Sequence, residues 1–273
     1  MITGDVRSAA LYGIVKRLAP GRHPRLMVLE ARFDDPRPTL RWHLKGIVQR
    51  FAFGAVDVVC VSARREATDY AARLRLGPER FKFVPWHTNV IDPGRREEHC
   101  GYVFAAGRTG RDWETLARAA SGLPLDFVGV MSASAASRTE FPENFSVHVD
   151  IPYEHYRELL KNARLVVIPL DVHAYSSGQV ALLEAMALGK PVICTKVLGT
   201  EDYLQHSFNG IFVSPNDPHE LAAAISHVLS APSVEHDLGH QAVETVRREH
   251  TFERYVTRIL ECAERLSKDI GSG

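Results

Sequence analysis

The sequence predicts an α/β protein built on two parallel sheets, and three observations carry that expectation. Short runs rich in Val, Ile and Phe alternate with stretches whose apolar residues recur every three or four positions. The alternation breaks at a polar segment containing Pro93 and Gly94, IDPGRREEHCG over 91–101, which has the composition of a linker. At 273 residues and 45% hydrophobic content, the chain has enough material for two cores.

The later part is the more regular. YVFAAG (102–107), LDFVGV (125–130), FSVHV (145–149), RLVVIPL (164–170), PVICT (191–195) and GIFVS (210–214) are too short for helices and read as strands. RDWETLARAA, PYEHYRELLKNA, VALLEAMALG and TEDYLQH lie between them and read as helices. Strand and helix in alternation imply a parallel sheet covered on both faces, so about 101–232 is expected to form a complete, six-stranded, Rossmann-like domain.

The first hundred residues repeat the grammar in shorter form. Helices near 7–18, 38–54 and 64–75 precede strands at 25–30, 56–63 and 81–86. Three strands would leave a ragged edge, which marks this as a partial Rossmann-like sheet that starts late. The tail from Val234 carries two helical patterns. The expected division is 1–92, 93–250 and a C-terminal helix, 251–273, that packs back on the first domain.

Composition narrows the function. The zero net charge conceals 18 Lys plus Arg against 11 Asp plus Glu in residues 1–100, a net +7, and 15 against 22 in the rest, a net −7. A basic first part suits nucleic acid, anionic lipid or a phosphorylated small substrate. Nucleic acid is not expected, because no aromatic stacking pattern interleaves the basic residues. Cys60, Cys100, Cys194 and Cys262 form no CxxC pair, and three sit in apolar surroundings, as buried thiols do in a reducing cytosol. The N-terminus lacks the pattern of a signal peptide, and no apolar run is long enough to span a bilayer. Thirteen histidines, among them His87, His148, His155 and His173, show no metal-ligand spacing, so no metal is expected. His173 stands out only because it precedes Ser176.

In open α/β sheets, ligands bind beyond the carboxyl ends of the strands, where helix N-termini offer free amides. Two stretches have the right chemistry. In SSGQVALLEAMALGKPVI (176–193), Ser176, Ser177 and Gly178 suit capping or close approach to an anion, and Glu184 is a carboxylate on an apolar helix that needs hydrogen-bond donors. Plain capping accounts for the turn equally well. In GRTGRD (107–112), Gly107 and Gly110 permit a tight turn, while Arg108 and Arg111 bring two guanidinium groups to a strand end. The plainer alternative is that Arg111 and Asp112 start a surface helix. Together the two stretches describe a diphosphate site.

From Tyr102 to about Leu229, the stretches GRTGRDWETLARA, RLVVIPL, LLEAMALGKPVICT, LGTEDYL and FNGIFVSPNDPHELAAAI resemble the nucleotide-sugar-binding domain of family 4 retaining glycosyltransferases, which have the GT-B fold. VDVVCVSARREATDY (56–70) and LGPERFKFVPW resemble the end of that fold's N-terminal domain. The resemblance implies a GT-B-like fold with a partial N-terminal, acceptor-side domain. It implies that Glu184 binds the donor ribose and that Arg108 and Arg111 bind the diphosphate. Backbone amides at Ser177, Gly178, Gln179 and Val180 would approach phosphates or sugar, with Gly107 and Ser176 beside them, while Asp150, Ile151 and Pro152 border the base.

Two departures stand out. Ser176 occupies the position of the first glutamate of the family's pair, and the opening strands with their glycine-rich loop have no counterpart. The histidine of a later N-domain strand is also missing, where RLMVLEARFDD offers Glu30, Arg32 and Asp34.

The implied activity is transfer of a hexosyl group from a nucleotide diphosphate sugar to a hydroxyl acceptor, anionic or lipid-linked, with retention and without metal or cofactor. The resemblance further implies a cytoplasmic protein of polysaccharide or glycoconjugate synthesis, peripheral at the inner membrane face. RPTLRWHLKGIVQRFAF would provide peripheral membrane contact, unless it is an ordinary helix with a basic solvent face. Two alternatives remain: a noncatalytic nucleotide-sugar-binding remnant or a subunit completed by a partner, and a sugar-nucleotide epimerase of the same fold.

Overall fold

The computed structural model describes residues 1–90, 101–173 and 175–268. The linker expected over 91–101, apart from Gly101, lies outside the described residues, as does Cys100. The described chain divides into two compact units: residues 1–86, 175–176 and 253–268, and residues 87–90, 101–173 and 177–252.

The first unit holds four parallel strands, β1 (Ile2–Thr3), β2 (Met27–Val28), β3 (Val58–Val61) and β4 (Phe81–Phe83), in that spatial order. The sequence predicts three. The additional strand is two residues long, too short for any periodicity to show. Helix α1 (Val6–Leu18) starts where the Asp5 carboxylate accepts the Ser8 amide at 2.7 Å, and α2 (Leu40–Phe53) starts at Thr39. Helix α3 (Arg64–Leu74) follows β3.

Strand alternation gives this sheet two different faces. Val59 and Val61 join Phe33, Phe53 and Tyr70 in one core, with the Phe33 ring 5.0 Å from Phe53 and 4.8 Å from Tyr70. Val58 and Cys60, with Met27, face the other way and meet Tyr255, Ile259 and Cys262 of the last helix.

The second unit is a complete six-stranded parallel sheet. Its strands are β5 (Val103–Ala106), β6 (Phe127–Met131), β7 (Phe145–Val149), β8 (Leu165–Ile168), β9 (Val192–Thr195) and β10 (Ile211–Val213), ordered β10-β9-β8-β5-β6-β7. Each coincides with a predicted run. Helices α4 (Trp113–Ser121), α5 (Ala133–Ala136), α6 (Tyr153–Asn162) and α7 (Gln179–Ala187) connect successive strands from β5 to β9, and α8 (Pro218–Ser230), α9 (Pro232–Glu249) and α10 (Phe252–Lys268) follow β10. Leu182, Leu183, Ala185, Met186 and Ala187 are all buried, so α7 is enclosed nearly all round, and α9 packs on it at Gly239, where any Cβ would strike the Gly189 carbonyl.

TEDYLQH does not become the expected helix. The Thr200 hydroxyl donates to the carbonyls of Thr195 (3.0 Å) and Val197 (2.9 Å) and accepts the Val197 amide (3.1 Å), folding the segment into turns. Among the described residues, no helix is long and apolar enough to cross a membrane.

Candidate functional site

Within the second unit, a cavity of about 500 Å³ opens beyond the carboxyl ends of β5, β6 and β7. That volume falls in the range of small-ligand pockets. One wall is the loop Gly107–Arg111. Gly107 has φ +153° and Gly110 has φ +64°, and a side chain at Gly107 would run into the Arg111 guanidinium. Arg111 turns back on its own strand end, donating from Nε to the Ala106 carbonyl (2.8 Å) and from Nη1 to Thr109 (3.2 Å). Among the described residues no acceptor is bonded to its Nη2. Burial lowers its pKa from the ordinary arginine value, against the pull of Cys194, Tyr156 and Asp171, yet a guanidinium remains charged at neutral pH. Arg108 is exposed and lines the same cavity. Asp112 does start α4, accepting the Thr115 amide at 2.9 Å, so the loop both caps a helix and delivers two cations.

Another wall is α7, with Val180 and Ala181 of its first turn and Glu184 of its second on the cavity. Gly178 enters the helix at φ +87°, and among the described residues no side chain caps it, so the first-turn amides have no side-chain acceptor there. The Gln179 side chain is 7% exposed, and its Nε2 has no hydrogen-bond partner among the described residues. A Cβ on Gly110 would lie 3.3 Å from His173 Nε2 and 3.6 Å from Ser177 Oγ, so the two glycine turns recognised in the sequence adjoin.

Glu184 is 8% exposed and accepts the Tyr153 hydroxyl at 2.9 Å on Oε1 and the Tyr156 hydroxyl at 2.6 Å on Oε2. Burial and Glu184 together push the Tyr156 pKa up, which keeps that phenol protonated and donating. Each carboxylate oxygen retains a second lone pair for a ligand hydroxyl. Asp150 and Ile151 complete the rim: Asp150 takes a left-handed φ of +48°, and its Oδ2 accepts the Ala133 amide at 3.2 Å.

The model of the family described as "Glycosyl transferases group 1" matches residues 131–245. The chain superposes on the sucrose-phosphate synthase of Thermosynechococcus elongatus with a TM-score of 0.73 and 18% identity, covering 95% of this chain and 72% of that one. It superposes on Anabaena HepE, solved with UDP-glucose, with a TM-score of 0.70 and 14% identity, covering 98% and 78%. The fold is GT-B-like. In sequence, a 74-residue stretch is 39% identical to an uncharacterized glycosyltransferase of Methanocaldococcus jannaschii, and an 84-residue stretch is 40% identical to a D-inositol 3-phosphate glycosyltransferase of Geodermatophilus obscurus. These stretches cover 27% and 31% of the GT-B-like chain, and only 18% and 17% of the two relatives.

The family 4 assignment expected from the sequence is overturned, since the matching model is group 1. The physical reason is visible in the site. A glycine turn, a helix start and a buried strand recur wherever a parallel α/β sheet is built, so stretches of that kind do not discriminate between families. The feature that would have discriminated, a paired glutamate, is absent at Ser176.

Of the residues singled out in the sequence, the GT-B-like chain brings Gly107, Arg108, Arg111, Asp150, Ile151, Val180 and Glu184 to one cavity. Ser177, Gly178 and Gln179 support the turn behind Val180 without lining it. Ser176 is placed elsewhere: its amide donates to Glu66 Oε1 at 2.8 Å and its Oγ lies 2.7 Å from Ser62 Oγ, all within the first unit. Its amide and hydroxyl are thus engaged by protein. Tyr153 and Tyr156 were missed. Their signal was present in PYEHYRELL, where two tyrosines three residues apart share one helix face. Among the described residues no group of three or more His, Cys, Asp or Glu side chains is placed to hold a metal ion.

Proposed function

We propose that the chain is a nucleotide-sugar-dependent glycosyltransferase, moving a hexosyl group to a hydroxyl acceptor. The observation that carries this reading is a single cavity with Arg108 and Arg111 on one wall, the uncapped α7 N-terminus on the other, and a tyrosine-held carboxylate beside them. The leaving group is a nucleoside diphosphate, whose growing charge needs fixed donors. Two guanidinium groups and a helix N-terminus supply them without a metal ion. Glu184, with lone pairs left over from its tyrosines, accepts the ribose hydroxyls. Both lining carboxylates, Asp150 and Glu184, already accept protein hydrogen bonds. That favours a retaining course in which the departing phosphate, rather than a protein base, takes the acceptor proton. The acceptor itself is anionic or lipid-linked, in keeping with the +7 first part.

A binding subunit completed by a partner is the second reading, favoured by the engagement of Ser176 with Glu66 and Ser62 rather than with the donor side. Calorimetric titration of the chain with UDP, GDP, ADP and their sugar conjugates tests both. Saturable binding of one nucleotide, weakened roughly ten-fold or more by Arg108→Ala and by Glu184→Gln, is the expected result. No binding by the folded chain would overturn the donor site. Binding without transfer or slow donor hydrolysis would favour the subunit.

A further inference from the structure

Helices α1 and α2 of the first unit present an unusual combination. On α1, Leu11, Val15 and Leu18 are exposed at spacings of four and three, and on α2 so are Leu40, Leu44, Ile47, Val48 and Phe51. These spacings place each set on one helical stripe. Leu40 is 78% exposed and Leu18 71%, so the residues are not core positions at a frayed edge. The opposite sides of the helices are the buried ones. Ala9 and Gly13 of α1 meet Ala52 of α2 so closely that a Cβ at Gly13 would strike the Ala52 carbonyl. At the outer surface the Arg17 guanidinium lies 4.9 Å from the centre of the exposed Phe51 ring, so the two stripes adjoin.

The charge on these helices is of one sign. VRSAALYGIVKRL and LRWHLKGIVQRFAF contain six Lys or Arg and no Asp or Glu. Lys16 and Lys45 are paired with Asp57 and Asp34 from outside the helices. Arg7, Arg17 and Arg41 are exposed, with Arg22 and Arg37 flanking. A two-fold contact between copies would set these cations against themselves. Packing against apolar protein would leave them without counter-charges. An anionic lipid surface supplies both an apolar layer for Leu and Ile and phosphates for Arg.

We propose that the exposed face of α1 and α2 docks this chain on a bilayer containing anionic lipid. The eight apolar side chains enter the acyl boundary, and the arginines meet headgroup phosphates. Both helices lie in the interface, since 13 and 14 residues are too few to span it. The inference is independent of the donor site, and its readout requires no transferase activity.

The test is sedimentation of the 273-residue chain with phosphatidylcholine vesicles, with and without phosphatidylglycerol. Binding is expected only with phosphatidylglycerol, and should weaken as salt is raised. The double variant Leu44→Ser/Ile47→Ser should abolish it while leaving the thermal unfolding midpoint in place, because both residues are exposed. Arg37→Glu/Arg41→Glu, altered only at surface charges, should weaken it by roughly five-fold or more per residue. Failure to sediment, equal binding to neutral vesicles, or binding indifferent to both variants would overturn the proposal. So would a dimer, seen by light scattering, that Leu44→Ser/Ile47→Ser dissolves.

Discussion

Two buried glutamates, one in each unit, solve the same electrostatic problem in different ways. Glu66, 1% exposed, accepts the amides of Ala63 (3.1 Å) and Ser176 (2.8 Å) and the Tyr70 hydroxyl (3.1 Å). Among the described residues Glu184 accepts only the two tyrosine hydroxyls, and it borders a cavity. Backbone amides cannot turn away, so Glu66 is a fixed brace that ties Ser176 to the start of α3. Phenolic hydroxyls rotate, so Glu184 can share its oxygens with an incoming hydroxyl. The type of donor, more than the degree of burial, separates a structural carboxylate from one available to a ligand.

The largest expected effect tests the brace. Glu66→Ala strands two amides and a phenol without an acceptor, and urea unfolding should show a loss of about 3 kcal/mol or more. Glu184→Ala should cost about 1 to 2 kcal/mol, because the tyrosine hydroxyls it releases can reach water in the cavity. Equal costs at the two sites would break the contrast.

A smaller effect separates the two tyrosines. Tyr156→Phe removes a 2.6 Å bond from a half-buried ring and should destabilise by about 1.5 kcal/mol, whereas Tyr153→Phe, on an exposed residue, should cost about 0.5 kcal/mol. The reverse ranking would mean that Tyr153, rather than Tyr156, holds the carboxylate.

The smallest effect concerns thiols, and leaves stability untouched. A hydrogen bond with Cys60, aided by Arg265 and Lys82 and opposed by burial, holds the Cys262 thiol down to about 7. Burial pushes Cys194 up to about 12, with Arg111 opposing. Since the thiolate is the nucleophile, iodoacetamide labelling of Cys262 should rise with pH through a midpoint near 7 and lie well ahead of Cys194 at neutral pH. A midpoint near 9 would show that Cys60 does not stabilise the thiolate.

How much could be read beforehand varied with the range of the interaction. β5 to β10 were legible because each is a short Val- and Ile-rich run between helical stripes. β1 was not, being two residues whose strand character comes from pairing with Met27 and Val28. TEDYLQH had helical spacing over seven residues, too little to outweigh a threonine hydroxyl that closes a turn. In the site, Arg108, Arg111 and Glu184 were identifiable by chemistry at strand and helix ends. The partners of Glu184 were not assigned: two tyrosines three residues apart on one helix face are visible in PYEHYRELL, but they lie 31 and 28 residues from Glu184, and nothing local links them to it. Ser176 shows the limit most clearly: a serine before Ser-Gly looks like a phosphate turn, and nothing near it in sequence announces that its amide donates to a glutamate 110 residues earlier.

What the sequence determined by itself was therefore the part of the molecule written in local periodicity: two parallel α/β units, the two glycine turns and the cations they carry. The tertiary structure alone decided which polar atoms are already engaged, which wall faces the cavity, and that the apolar stripes of α1 and α2 point outward. Periodicity records that a helix has an apolar face. Whether that face is covered depends on surfaces contributed by distant parts of the chain, and the burial of a side chain is a property of all of them together.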